Sequence, residues 1–96
     1  MSGIFDYMGW IVRAEAGRDK DGIFCVVGVD QERHMLLLAD GKRRKLARPK
    51  AKCIIHVRPL TGKFDRPAIC KLRRGEPLSD RELRRTLAAF RDEMEA

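Results

Sequence analysis

Hydrophobic and polar positions change period several times along the 96 residues, and each change marks an element. Over residues 10–15 they alternate, with Trp10, Val12 and Ala14 on one face and Ile11, Arg13 and Glu15 on a mostly wet one. This predicts a first strand. Residues 17–22 hold Arg18-Asp19-Lys20-Asp21 between two glycines, a turn open to positive φ or to close backbone approach. Residues 23–29 (IFCVVGV) are apolar on both alternating faces, so the second strand is expected to be buried from two sides. Asp30-Gln31-Glu32 has the length of a hairpin connection, and residues 33–39 (RHMLLLA) read as a third strand. Asp40-Gly41 predicts a type I′ turn into a fourth, basic strand over residues 42–46. Arg48-Pro49 breaks the ladder, and residues 53–58 form a fifth strand that Pro59 ends.

The remainder of the chain has another rhythm. Residues 59–78 (PLTGKFDRPAICKLRRGEPL) are punctuated by proline and glycine and read as a surface linker. Ser79 and Glu82 then make a capping box, with Leu78 and Leu83 at the positions of a hydrophobic staple. Leu83, Leu87, Phe90 and Met94 form one apolar stripe, which predicts an amphipathic helix over residues 79–96. Asp80 and Glu82 suit the N-terminal end of its dipole, whereas Glu93 and Glu95 oppose the other end, where fraying is expected. The expected fold is mainly β: a small, strongly bent five-stranded barrel of the SH3-like kind with a C-terminal α-helix. An OB-type barrel, whose strands are usually longer, is the alternative. The barrel would occupy residues 1–58, with Phe5 and Tyr7 closing one end, and the helix would pack on it, because the second and third strands carry more apolar surface than a barrel interior absorbs.

Charge sharpens this picture. The net charge is +7. Residues 1–40 carry four lysines or arginines against seven acids, residues 41–64 carry nine against none, and residues 65–96 carry eight against seven. The excess therefore sits in one stretch, which points to a polyanionic partner. Lys42, Arg43, Arg44, Lys45, Arg48, Lys50, Lys52, His56 and Arg58 form the core of a candidate phosphate-binding set, joined by Arg13 on the first strand. Such a row neutralises successive phosphates and releases counterions, and arginine adds a planar fork. A solvated edge strand that resists aggregation would also be charged, but would not need nine bases without an acid. With six aromatics in the chain and Trp10 assigned to the core or its rim, phosphate and shape recognition is expected over base stacking. The helix either braces the barrel or extends the contact through Arg81, Arg84, Arg85 and Arg91.

Other chemistry has little footing. Cys25, Cys53 and Cys70 are odd in number and contain no CxxC, which suits a reducing compartment. Cys53 and His56, three apart on a strand, face opposite sides, and with Cys25, Cys70 and His34 they match no closed zinc pattern. No Ser/His/Asp arrangement or glycine-rich phosphate loop is present, so neither an enzyme nor a cofactor nor a small-molecule substrate is expected. The first residues lack the basic segment of a signal peptide, and no apolar run approaches the ~20 residues that span a bilayer. A cytoplasmic protein without membrane contact is expected.

The block of residues 9–58 resembles a KOW motif and its surroundings. The resemblance rests on Gly9, Val12, Gly17, the Ala16-Gly17-Arg18-Asp19-Lys20 turn, Phe24-Cys25-Val26-Val27, and Asp40-Gly41-Lys42 followed by basic residues. The order is most similar to the KOW ribosomal proteins of archaeal and eukaryotic large subunits, and to small stand-alone relatives in Gram-positive bacteria. The resemblance implies an SH3-like barrel that binds RNA, here ribosomal RNA on the ribosome, through the first-hairpin loop and nearby basic strands. Carried over by position, Arg18 and Lys20 become contacts, while Asp21 departs from the pattern and lowers the loop charge. Residues 59–96 lie outside it. A protein-interaction module of the translation or transcription machinery is the alternative, since SH3-like barrels serve that role too.

Overall fold

Both faces of the second apolar segment are covered, and the architecture follows from that. The computed structural model describes residues 7–61 and 66–95. Five strands, β1 (Ile11–Ala14), β2 (Ile23–Asp30), β3 (Met35–Ala39), β4 (Lys50–Cys53) and β5 (Val57–Thr61), form one antiparallel sheet in the order β4-β3-β2-β1-β5. Helices α1 (Pro67–Arg73) and α2 (Asp80–Glu95) follow. The expected content, mainly β with a C-terminal helix, is present; the sheet itself is not closed.

Its curvature is dictated by chain length. β4 and β5 are the two edges, yet only a 3-10 turn, Ile54–His56, joins them. In a flat sheet these edges would stand roughly 19 Å apart, four strand spacings. A 3-10 segment rises only ~2 Å per residue, so the sheet must curl until its edges face each other. The turn is held to both sides: Ile54 N donates to His34 O (3.2 Å) and Glu15 N donates to His56 O (2.8 Å). Register shifts at Ile11/Val12 and Val26/Gly28 supply local bends.

Curling creates an inside and an outside. Inside, Val12, Ala14, Phe24, Val26, Leu36, Leu38 and Val57 pack together, with Tyr7 and Trp10 against them and their rings 5.2 Å apart. Outside, Ile11, Cys25 and Ala39 meet Ile69 of α1 and Leu83, Leu87 and Phe90 of α2. Burial pushes the Cys25 thiol up to about 12, so it acts as a small apolar group. The outer face of β1, expected to be mostly wet, is therefore partly covered, and Ile11 is 1% exposed.

Several local expectations need correction. Residues 42–46 are not a strand but a loop, because carboxylates capture the N–H groups that a ladder would use. Of the Asp40-Gly41 pair only Gly41 takes positive φ (79°), so the turn is not type I′. The single strand expected over residues 53–58 is split by the 3-10 turn between β4 and β5. Pro59 lies within β5 opposite Val12, which an edge strand tolerates. The expected linker contains the end of β5 and helix α1, which starts with Pro67 at N1 and buries Ala68 and Ile69. At α2 the serine half of the expected capping box is present: Glu82 N donates to Ser79 Oγ (3.1 Å), while the Glu82 carboxylate accepts from the Ser79 hydroxyl (3.4 Å). Met94, the last residue of the stripe, is exposed.

Candidate nucleic-acid interface

The loop between β1 and β2 is stitched by its own backbone. Ala14 N donates to Gly22 O (3.0 Å), Asp21 N to Ala14 O (2.8 Å) and Lys20 N to Gly17 O (3.2 Å). Gly17 (φ 81°) and Asp21 (φ 70°) take the left-handed conformation that this path requires. Successive side chains then part company. Arg18 and Lys20 are exposed, while Asp19 between them is turned inward to 7% exposure.

Arg44 meets it there. Its Nη2 donates to Asp19 Oδ2 at 2.9 Å and its Nε to Oδ1 at 3.3 Å, a two-point fork. Lys52, also buried, donates from Nζ to Ala16 O at 2.8 Å. The hydrogen bond from Arg44 holds the Asp19 carboxyl below its ordinary range, against the opposing effect of desolvation; the charges of Arg44, Lys52 and Lys50 add to it. The first-hairpin loop and the basic stretch are thus clasped into one surface. Arg18 and Lys20 flank the buried Asp19, and Arg43 and Lys45 flank its half-buried partner Arg44, all four exposed.

Two further carboxylates shape the basic stretch. Asp40 Oδ1 accepts from Lys42 N (2.9 Å) and Arg44 N (2.8 Å), and Arg44 O accepts from Asp40 N (2.8 Å) and Gly41 N (3.1 Å). Leu46 N donates to Asp80 Oδ1 at 2.7 Å, fastening the loop to the first turn of α2. A Cβ on Gly41 would overlap the Asp80 carbonyl oxygen, so only glycine permits this approach. With the Lys42, Arg44 and Leu46 N–H groups held by carboxylates, the cationic side chains of Lys42, Arg43 and Lys45 are left to solvent.

The twelve residues singled out by sequence are distributed unevenly. Arg18, Lys20, Lys42, Arg43, Lys45, Arg48 and Lys50 are exposed around the clasp, while Arg44 and Lys52 are engaged inside it. Arg13 and Arg58 sit opposite each other across β1 and β5, at the other side of the sheet order from β4, with Arg13 3.9 Å from Glu15. His56 is exposed at the 3-10 turn. Asp19, Asp40 and Asp80 are organising groups that the charge pattern of the sequence does not single out. The Asp40-Gly41 turn was a signal for one of them, but the long-range partners of the other two have no local signature.

Among the described residues no cluster of three or more His, Cys, Asp or Glu side chains is placed to hold a metal ion. No described helix is long and apolar enough to cross a membrane. Comparison with protein-family models and with curated proteins finds no match for this chain.

Proposed function

We propose that this protein binds RNA, docking on structured ribosomal RNA through the 17–22 loop and the exposed cations of residues 42–50. The observation that carries the reading is the Asp19–Arg44 clasp, which joins two separate runs of sequence into one cationic surface. The curled meander, with β5 returning to pair with β1, supports an SH3-like barrel as its scaffold. The resemblance of residues 9–58 to ribosomal KOW proteins supports ribosomal RNA, and with it the ribosome, as the partner. Recognition on this reading is electrostatic and shape-based: lysines and arginines neutralise phosphates, while the fixed loop geometry selects folds that present phosphates at matching positions.

The test is binding to ribosomal RNA fragments and to an unrelated folded RNA across a salt series, for the native chain and for Arg43→Ala/Lys45→Ala/Arg48→Ala. Arg44 is left in place because it holds Asp19. The native log–log salt slope is expected to be steep and to flatten by roughly 2 to 3 in the variant, about 0.7 to 0.9 per lost phosphate contact. Tighter binding to ribosomal RNA supports the ribosomal assignment. An absence of RNA binding at near-physiological salt would overturn the reading and favour a protein partner.

A further inference from the structure

The basic residues of this protein divide into those matched by an acid and those left open. Arg66 pairs with Glu93 at 2.8 Å and Lys71 with Glu82 at 2.8 Å; Arg74 pairs with Glu76. Arg44 is clasped to Asp19. Lys42, Arg43, Arg84 and Arg91 have no ion pair among the described residues, and these four line a common cleft of about 640 Å³ between the 41–46 loop and α2. Leu87 and Ala88 complete the helix side.

The cleft is built, not incidental. Arg84 and Arg91 lie two turns apart, about 10 Å along the helix axis, and Ala88 between them leaves the space open. Lys42 and Arg43 form the facing wall, and the Asp80–Leu46 bond and the Gly41 approach fix the distance between the walls. The one acid among the described residues lining the cleft, Asp40, turns Oδ1 into its own loop to hold two N–H groups. Arg91 also lines a smaller cleft with Asp21, so the helix wall leads on toward the 17–22 loop.

We infer that this cleft holds the sugar-phosphate backbone of a single RNA strand, with Lys42 and Arg43 on one side of it and Arg84 and Arg91 on the other. The inference rests on the RNA-binding reading and deepens it, assigning α2 a direct contact. Opposed cationic walls suit one strand entering between them, whereas a duplex carries its phosphates on the outside of a wide cylinder. Among the described residues no aromatic side chain lines the cleft, so the described walls offer no stacking platform and the contact tolerates sequence. The ligand class is therefore a single-stranded segment, such as a loop, bulge or end, of a folded RNA.

The test compares a labelled short oligouridylate and an RNA duplex, each titrated with the native chain, Arg84→Ala/Arg91→Ala, and Arg81→Ala/Arg85→Ala. The control pair lies on exposed helix positions outside the cleft and removes the same charge. Thermal melts establish that both variants fold. The cleft variant is expected to lose about tenfold or more in single-strand affinity and to flatten the salt slope by about 1.4, two contacts at 0.7 each. The control is expected to stay within about twofold, because phosphate contacts and not net charge are at issue.

Equal losses in the two variants, or tighter binding of the duplex by the native chain, would overturn the assignment. If both helix variants bind as the native chain does while Arg43→Ala/Lys45→Ala/Arg48→Ala loses binding, the cleft falls and the RNA-binding reading stands. If the native chain binds neither probe but binds ribosomal RNA fragments, the cleft falls and the RNA-binding reading stands; if it binds none of these RNAs at near-physiological salt, both fall. Polyglutamate bound as tightly as the oligouridylate, and weakened by the same pair, would reassign the cleft to an acidic protein segment.

Discussion

Three aspartates organise a surface rich in exposed cations. Asp19, Asp40 and Asp80 each take up donors that would otherwise face solvent or compete with one another, and the lysines and arginines are positioned as a result. Asp19 is the one whose loss is most readily measured. Its carboxyl is held below the ordinary range by Arg44, so the unfolded chain takes up a proton before the folded one does as pH falls. Between the two values the unfolded state binds more protons, and stability rises with pH there. The contribution is fully present above the ordinary carboxylate value of about 4 and is lost as pH falls through the depressed folded value. Asp19→Asn is expected to lower stability by about 2 kcal/mol at pH 7, since a charged, partly buried hydrogen bond is lost. The difference from the native chain should shrink toward acid pH in denaturant titrations. A difference independent of pH would mean that the carboxylate's charge contributes nothing.

At the scale of elements, α2 and the 41–46 loop illustrate two kinds of legibility. The start of α2 is written locally: the Ser79 cap and the spacing of the apolar stripe can be read from neighbouring residues, and Ser79 caps Glu82 N while Leu83, Leu87 and Phe90 are buried, Met94 alone staying exposed. The loop could not be read in this way. Lys42 to Leu46 lies between strands and follows Asp-Gly, but its N–H groups go to Asp40 and to Asp80, a residue far along the chain. Helix α1 was hidden by the prolines and glycines around it, although Pro67 at its first position favours a helix start. A matched pair of variants separates the two cases. Ser79→Ala is expected to cost about 1 kcal/mol, the usual value of an N-cap. Gly41→Ala is expected to cost more, since it combines positive φ with overlap onto Asp80, and to disturb amide resonances on both the loop and the first turn of α2. If the Gly41 effect stayed within the loop, the loop and helix would not be coupled as described.

For the whole molecule, the decisive feature is that β2 is buried from both sides, inside by the curled sheet and outside by the helices. Leu87, 3% exposed beneath α2, is expected to cost about 2 to 5 kcal/mol on replacement by alanine, seen as a lower denaturant midpoint. A midpoint unchanged from native would mean that α2 does not brace the sheet. Period and composition by themselves determined that the chain is mainly β, that its second strand has two buried faces, that an amphipathic helix closes it, and that residues 41–64 concentrate positive charge. These are properties of neighbouring residues, and alternation, capping and charge density act over a few positions. Only the tertiary structure decided which cations face solvent. Arg43 and Arg44 are adjacent and chemically identical, yet one is free on a cleft wall and the other is pinned to Asp19. The energy that separates them comes from a partner distant in sequence and close in space, because a buried carboxylate must be paired.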